Sequence, residues 1–383
     1  MNSLFSLVPA ERGPIVNIRE QGLSSLEITL SITGYRPLVK TGDSVSKAQK
    51  VANDPEGKMP SVHSSVSGIV TDIKNDFISI REKGERVADP LEFDMRNAGG
   101  MLESLRDGGI NIRPLKQGAT LIINAIPKEA GLDGHRFLIE EFNDIMLEGL
   151  ACLNNALSPK ACALALPKGM DWTLSGCVGH EIDPVYPNGL NAMVVKAVTG
   201  KEMPPDVCVI NAATLYRIGR TLHGRRAVTD IMVKVGSTLF LTPVGTQVGL
   251  LVKMAGFGIS NHDRVILDGP LSGEAVYTLR HGVGPETQGV SVVAAGPEPT
   301  IMDSPCVGCG ECVIRCPARI QPNMISRHAE FGLFENTLNY SIAACFECGL
   351  CTYWCTAQRP VLQYIRLAKK ELSKKPILED LRK

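Results

Sequence analysis

The sequence has few aromatic residues, no excess of either charge and no long apolar run. Phe, Trp and Tyr make up 5% of the 383 residues, and 40 Lys and Arg balance 40 Asp and Glu. This balance gives no support to binding of nucleic acid. No stretch of about 18 apolar residues occurs, so we expect no membrane-spanning helix. The start, MNSLFSLVPAERG, lacks the basic region of a signal peptide, so we expect a cytoplasmic location.

Cysteine is absent from the first 150 residues and concentrated near the end of the sequence. Eight of the 12 cysteines fall between positions 306 and 355. Disulfide frameworks are typical of small secreted chains, whereas a dense group of cysteines in a long cytosolic chain indicates metal binding. The spacing of these eight residues therefore indicates the chemistry of the region.

The eight cysteines form two copies of the motif C-x₂-C-x₂-C-x₃-C. The copies are Cys306-Val-Gly-Cys309-Gly-Glu-Cys312-Val-Ile-Arg-Cys316-Pro317 and Cys345-Phe-Glu-Cys348-Gly-Leu-Cys351-Thr-Tyr-Trp-Cys355-Thr356. This is the spacing of two-cluster ferredoxins, in which the fourth cysteine of each motif ligates the other cluster. Zinc is the main competing metal, but zinc ribbons use paired C-x₂-C knuckles instead of four evenly repeated cysteines.

The motifs predict two [4Fe–4S] clusters that carry single electrons. The expected ligands are Cys306, Cys309, Cys312 and Cys355 for the first cluster, and Cys345, Cys348, Cys351 and Cys316 for the second. Thr356 replaces the proline that usually follows the fourth cysteine. We expect this change to alter the local loop or the cluster potential without abolishing cluster binding.

Elsewhere the sequence shows no catalytic arrangement. The remaining cysteines stand in apolar surroundings and are expected to be buried small hydrophobic side chains: Cys152, Cys162, Cys177 and Cys208. The 7 histidines have no metal-binding spacing, and no Ser–His–Asp or Cys–His arrangement is recognisable. We therefore assign no catalytic residue.

The order of apolar patterns divides the chain into five segments. V-K-T-G-D-S-V followed by S-V-S-G-I-V is the two-fold pattern of a barrel-sandwich hybrid, and strands then alternate with helices as in an α/β domain. The expected segments are an N-terminal stretch at 1–32, the barrel-sandwich hybrid at 33–89, the α/β domain at 90–225, short β-like runs at 226–300 and a cysteine-rich helical segment at 301–383.

In these motifs and in the order of its segments, the chain resembles the C subunit of the Rnf ion-translocating oxidoreductase and, more distantly, the A subunit of the sodium-pumping NADH:quinone reductase. The matching phrases include LVKTGDSVSKAQKV, TLIIN, YPNGLNAMVVKAVTGKEMP, RVILDGPLSG and the double cysteine motif, from about residue 30 to 375. The resemblance implies a multidomain α/β and α+β fold. Its parts would be a barrel-sandwich hybrid, a Rossmann-like α/β domain, an SLBB-type β-grasp domain and a C-terminal two-cluster ferredoxin-like helical domain.

The resemblance also implies a function as the peripheral subunit of a membrane complex, on the cytoplasmic face of the inner or cell membrane. Such a complex exchanges electrons between NADH and ferredoxin and couples this exchange to ion movement. The implied partners are integral membrane and ferredoxin-like subunits and a redox protein such as ferredoxin. Two alternatives stay open: an FMN-containing NADH dehydrogenase subunit of the same complex, or a soluble adaptor, similar to a cobalamin reductase, that supplies electrons to a metabolic enzyme.

One segment departs from the family pattern, which implies a glycine-rich nucleotide loop, roughly G-x-G-G-A-G-F-P-T, just before TLIIN. Glycines there let backbone amides approach phosphate and flavin. This sequence retains Gly99, Gly100, Gly108 and Gly109, but Met101 to Arg106 stand between them and include a glutamate that would repel phosphate. Either a variant loop still binds FMN and NADH, or the domain is a retained scaffold and the glycines are ordinary turn residues. We favour the scaffold.

The C-terminal helix is predicted to start at Pro360 and to carry an apolar stripe. The stripe comprises Val361, Ile365 and Ala368, with Lys369, Lys370, Lys374 and Lys375 beyond it. The simplest expectation is that this helix packs on the ferredoxin segment, and contact with a membrane surface through the lysines is the alternative. Four arginines near the motifs are candidates for attracting an acidic ferredoxin: Arg315, Arg319, Arg359 and Arg366.

Overall fold

The computed structural model describes residues 5–8, 13–22, 25–74, 76–295, 301–302 and 304–374. Lys375 and parts of the N-terminal stretch therefore lie outside the described residues. The chain forms two compact units. The first comprises Met1–Ile259, Val265–Gly269 and Glu274–Val292, and the second comprises Ser260–Arg264, Pro270–Gly273 and Val293–Lys383. The five segment boundaries given above stay a prediction.

The strands are short and lie mainly in the first unit. In chain order they are β1 (Ile15–Asn17), β2 (Glu27–Ser31), β3 (Arg36–Pro37), β4 (Ser44–Val45), β5 (Lys50–Asn53), β6 (Val62–His63), β7 (Gly68–Lys74), β8 (Phe77–Glu82), β9 (Thr120–Asn124), β10 (Cys162–Pro167), β11 (Val178–Ile182), β12 (Val207–Asn211), β13 (Asp230–Val235), β14 (Thr238–Pro243), β15 (Arg264–Leu267), β16 (Glu274–Ala275) and β17 (Gly289–Val293).

The helices occur in both units. They are α1 (Ala98–Asp107), α2 (Gly134–Glu141), α3 (Asn143–Leu157), α4 (Asn191–Thr199), α5 (Ala212–Gly224), α6 (Val248–Met254), α7 (Glu311–Ile314), α8 (Pro322–Glu330), α9 (Leu350–Tyr353) and α10 (Val361–Ser373). Short 3₁₀ helices cover Ile18–Glu20, Phe334–Tyr340 and Ile342–Ala344.

Two small sheets, β2-β8-β7-β4 and β3-β5-β6, form the first part of the chain. Ile78 and Ile80 of β8 lie in the core, where both side chains are completely buried. Strands β7 and β8 can pair closely because Gly68 has no side chain: a Cβ there would lie 2.1 Å from the Arg81 carbonyl oxygen. Strand β2 lies before the predicted boundary at residue 33, yet it pairs with β8.

A four-stranded sheet of parallel strands, in the order β11-β10-β9-β12, forms the α/β part. All six residues of β10 are buried, which is typical of parallel strands covered on both faces. Helices α3 and α5 cross closely at Gly149 and Gly219; a Cβ on Gly219 would lie 1.9 Å from the Ile145 carbonyl oxygen.

The apolar periodicity over residues 135–157 predicts one helix, but the structure contains two. Helix α2 ends before Phe142, whose φ of −131° is not helical, and α3 begins at Asn143. The Asn143 side chain accepts a hydrogen bond from the Trp172 indole at 3.0 Å. The apolar pattern of the sequence continues across this break, because Phe142 still makes an apolar contact, edge to face with Phe137.

The third part is a six-stranded sheet in the order β1-β14-β13-β17-β15-β16. Its outer strand β1 comes from the N-terminal stretch and runs parallel to β14, with Ile15 opposite Leu239. The N-terminal stretch is therefore divided between two sheets. Strand β13 carries a buried lysine, Lys234, whose ammonium group lies 2.7 Å from the Asp133 carboxylate.

His63, on β6, makes the stability of the first unit depend on pH. Burial lowers its pKa from 6.5 to about 4, and the charge of Lys50 adds to the effect. The unfolded chain therefore takes up a proton more readily than the folded chain between these values. We expect the contribution of His63 to the free energy of unfolding to be greatest above pH 6.5 and to fall by about 3 kcal/mol as the pH decreases towards 4.

Denaturant unfolding of the wild type and of His63→Gln, measured from pH 7 to pH 4, tests this expectation. The variant should lose less stability than the wild type over that interval, because glutamine does not titrate. Equal losses in both proteins would show that other groups dominate the acid dependence.

The helical unit has its own core, formed mainly by α8, α10 and the 3₁₀ helices of this unit. Ile325, Ile342 and Ile365 are completely buried in it. Of the predicted stripe on α10, Val361 is 2% exposed and Ala368 is fully buried, so the expectation that this helix packs on the ferredoxin segment is confirmed. In the part of the chain that the structure describes, no helix has the length and apolar character needed to cross a membrane.

Candidate metal centre

Each cysteine motif folds as a tight loop followed by a one-turn helix, α7 or α9. Two residues of each loop adopt the left-handed conformation: Gly308 and Gly310 in the first, with φ of 71° and 80°, and Glu347 and Gly349 in the second, with φ of 60° and 75°. They flank the second cysteine of each motif, so both loops follow the same path. Glycine adopts this conformation at little cost, whereas Glu347 is held by an ion pair of 2.9 Å with Lys369.

One group of four predicted ligands lines a small cavity in the helical unit. These residues are Cys306, Cys309 and Cys312 of the first motif and Cys355 of the second. Burial raises the pKa of Cys312 to about 11, and the three neighbouring thiols act in the same direction. The structure thus brings together the first predicted ligand set, whose binding to a cluster stays a prediction.

The other four predicted ligands form a second, more buried group. They are Cys345, Cys348 and Cys351 of the second motif and Cys316 of the first. Burial raises the pKa of Cys348 to about 12, and the Cys345 and Cys316 thiols raise it further. The pKa of Cys351 is raised well above its usual value by burial and by its neighbours, among them Cys312 of the first group. The two groups are therefore adjacent.

The donor sets fit [4Fe–4S] clusters. Each group offers four thiols, and burial together with mutual repulsion of their charged forms raises the pKa values of Cys312, Cys348 and Cys351. A positively charged centre would offset this repulsion and keep the thiols ionised. In a [4Fe–4S] cluster each thiolate binds a different iron. Among the described residues, no three His, Cys, Asp or Glu side chains are gathered so that they could hold a single metal ion.

Polar groups also contact the sulfur atoms of the first group. The Thr356 hydroxyl donates a hydrogen bond to Cys309 Sγ over 3.2 Å, and this contact lowers the pKa of the exposed Cys309. The backbone amide of Arg359 lies 3.4 Å from Cys355 Sγ. Sequence reasoning singled out Thr356 by its departure from proline, but gave no indication that it faces Cys309.

Two of the four arginines predicted to attract a partner donate to acceptors elsewhere in the helical unit. Arg359 is 1% exposed, and its guanidinium donates to the Ser304 carbonyl and to Glu330. Arg366 donates to Glu347 and to two backbone carbonyls. The expectation is therefore wrong for Arg359, because its guanidinium is buried on internal acceptors, and it stays a prediction for Arg366, whose side chain is 24% exposed. Arg315 and Arg319 are more accessible to solvent.

The four glycines of the degenerate loop occupy ordinary structural positions around α1. Gly99 and Gly100 lie in the first turn, where the Gly100 amide donates to the side chain of Asn97. Gly108 ends the helix, and a Cβ there would lie 2.7 Å from the Thr221 methyl group. Gly109 has a φ of 87°. Close packing at Gly108 and the positive φ of Gly109 favour glycine at these two positions.

Side chains of the chain itself contact one another at the carboxyl end of β9 and in the segment that follows β11. The Asn124 amide donates to the Gly189 carbonyl at 2.9 Å and to the Asn191 side chain at 3.1 Å. The Leu7 amide donates to the Pro184 carbonyl, and the Leu7 side chain is 1% exposed. In open α/β sheets this end is where ligands usually bind.

The prediction for the remaining cysteines needs one correction. Cys162 and Cys177 form a disulfide that links β10 to the segment just before β11, so they are not isolated hydrophobic side chains. Cys152 and Cys208 are free and buried, as expected, and burial raises the pKa of Cys152 to about 11.

Two family models match the chain. The RnfC barrel sandwich hybrid domain matches residues 31–88, and the 4Fe-4S dicluster domain matches residues 298–356. The fold expected from the sequence, a mixed α/β chain with a barrel-sandwich hybrid and a ferredoxin-like segment, is therefore confirmed. Among solved structures, an NAD+-reducing [NiFe]-hydrogenase in the H2-reduced state has a TM-score of 0.45 and 15% sequence identity, covering 74% of this chain and 67% of that chain.

Curated relatives are named as the C subunit of an ion-translocating oxidoreductase complex. The protein from Rhodobacter capsulatus is 25% identical over 88% of this chain and 76% of its own length. The proteins from Serratia proteamaculans and Vibrio cholerae are each 24% identical, over 87% and 78% of this chain, but the chain spans only 55% and 45% of their lengths. With an RnfC barrel sandwich hybrid domain, a 4Fe-4S dicluster domain and similarity over most of its length, the chain is RnfC-like.

Proposed function

We propose that this chain is an electron-transfer subunit of an Rnf-like ion-translocating oxidoreductase complex, in which single electrons pass through two [4Fe–4S] clusters. The two adjacent groups of four cysteines carry the proposal. The clusters would supply one-electron chemistry. Two adjacent groups of thiols from the chain would hold them, with Cys345 and Cys351 shielded and Cys309 exposed. One group would thus exchange electrons at the surface and the other within the protein.

The partners proposed are integral membrane and ferredoxin-like subunits and a redox protein such as ferredoxin, with the chain peripheral on the cytoplasmic face. The surface beside the first group supports docking of a protein. Val307 and Ile314 are 70% and 76% exposed next to the motif cysteines, and exposed apolar side chains near a functional site are typical of interaction surfaces. Arg315 and Arg319 are exposed there, and Arg315 forms an ion pair of 3.3 Å with Glu311.

The nucleotide domain is proposed to be a scaffold. A helix, α1, stands where the family resemblance implies a glycine-rich loop, and Gly100 and Gly108 pack closely against Asp94 and Thr221. The hydrogen bonds of Asn124 and the buried side chain of Leu7 occupy part of the end of the sheet. The alternative is an FMN-containing NADH dehydrogenase subunit, for which the parallel sheet itself is the supporting observation.

Anaerobic purification of the full chain tests the proposal. We expect about eight irons per chain, the content of two [4Fe–4S] clusters, with EPR signals after dithionite reduction. We expect no extractable flavin and no bleaching of the iron–sulfur absorbance by NADH. Flavin together with NADH bleaching would establish the dehydrogenase alternative instead, and a chain with iron far below this content would contradict the proposed function.

Purification from the native membrane separates the relay from the soluble adaptor. A relay subunit should co-purify with integral membrane subunits in mild detergent. Recovery of all the protein in the soluble fraction, bound to a metabolic enzyme, would favour the adaptor.

A further inference from the structure

The residue after the fourth cysteine differs between the two motifs. Pro317 follows Cys316, whereas Thr356 follows Cys355. Proline offers neither a side-chain donor nor a backbone N–H. Threonine offers a hydroxyl on a β-branched side chain that has few rotamers. The two cluster sites are therefore related by spacing but differ in the hydrogen bonds available to them.

The Thr356 hydroxyl is directed at a sulfur atom from the opposite motif. Its oxygen lies 3.2 Å from Cys309 Sγ, within the range of a hydrogen bond to sulfur. Cys309 is the exposed member of the eight motif cysteines, all of which lie in the described part of the chain. A donor supplied by the protein therefore acts on the ligand nearest to solvent.

Reduction adds one negative charge to a cluster, and part of that charge is carried by the sulfur atoms. A donor hydrogen bond to a ligand sulfur stabilises the more negative, reduced state more than the oxidised state. Hydrogen bonds to sulfur and solvent exposure are two of the factors that set cluster potentials. The backbone amide of Arg359, 3.4 Å from Cys355 Sγ, acts in the same direction.

We propose that Thr356 raises the reduction potential of the cluster held by Cys306, Cys309, Cys312 and Cys355 through its hydrogen bond to Cys309. This inference rests on the proposed function, since it requires that the clusters be present. Thr356 is a positioning residue that acts through a ligand. Its effect makes this cluster a better electron acceptor than the same site with proline or valine at position 356.

The test is an EPR-monitored redox titration of the full chain with Thr356→Val, which removes the hydroxyl and keeps the shape. At a fixed ambient potential we expect the ratio of reduced to oxidised cluster to fall about three- to tenfold, the range of a typical net hydrogen bond. For a one-electron couple this equals a decrease of about 30 to 60 mV. Thr356→Ser keeps the hydroxyl and should restore most of the wild-type value.

Single-cluster backgrounds identify which cluster responds. Cys348→Ala should leave the first cluster alone, and there Thr356→Val should still lower the potential. Cys309→Ala should leave the second cluster alone, and there the same change should have no effect. If the wild type holds two clusters and Thr356→Val shifts neither, this inference fails while the proposed function stands. If the wild type holds no clusters, the proposed function itself fails.

Discussion

Replacing Cys316 and Cys348 together by alanine should leave about four irons per chain, whereas replacing Cys316 and Cys309 together should leave almost none. Cys316 belongs to the first motif by sequence but lies with Cys348 in the second group of thiols. The first pair of substitutions therefore damages one cluster, and the second pair damages both. Iron analysis and EPR of anaerobically purified variants measure the difference.

This pair of variants separates crossed ligation from sequential ligation. If each motif held its own cluster, the two results would be exchanged: the variant lacking Cys316 and Cys309 would keep about four irons. Cys152→Ala is a matched control, because it removes a free buried cysteine in the other unit. It should keep the iron content of the wild type.

Breaking the buried ion pair between Lys234 and Asp133 should cost about 3–5 kcal/mol of unfolding free energy. The side chains are only 8% and 6% exposed, and their charged atoms are 2.7 Å apart. Removal of either partner leaves a charge buried without its counter-ion. Lys234→Met and Asp133→Ala should each strongly lower the urea concentration at which half of the first unit is unfolded.

The double variant Lys234→Met with Asp133→Ala should recover much of this loss, because no unpaired charge remains in the core. Lys160 and Asp206 supply a matched control: they form a pair of the same chemistry at 3.1 Å, with side chains 62% and 55% exposed. Lys160→Met should change stability little. Equal effects at the two sites would contradict the importance of burial.

The grouping of the cysteines could be predicted because covalent spacing dictates it. Three thiols within seven residues must reach one cluster, and the fourth must point away. The contact between Thr356 and Cys309 could not be predicted, since it joins two loops 47 residues apart in the sequence. The burial of Arg359 could not be predicted either, because it depends on the acceptors Ser304 and Glu330, which are distant in the sequence.

The fold, too, could be predicted only in part. Strongly apolar strands such as β10 are recognisable in the sequence, because parallel strands buried on both faces give continuous apolar runs. The partners of short strands are not: β1 joins a sheet more than 200 residues further along the chain, with Ile15 opposite Leu239. The disulfide also depends on such pairing, since Ala163 is opposite Val178, which places Cys162 beside Cys177.

The buried Leu7 side chain would compete with any ligand for space at the end of the parallel sheet. Any ligand that needed the space beside Pro184 and Gly189 would first have to displace this side chain. Exposing a buried leucine costs about 2 kcal/mol. The apparent dissociation constant of such a ligand would then be weakened about thirtyfold. Shortening the chain to begin after Leu7 would remove this competitor, and a ligand that needs this space should then bind more tightly.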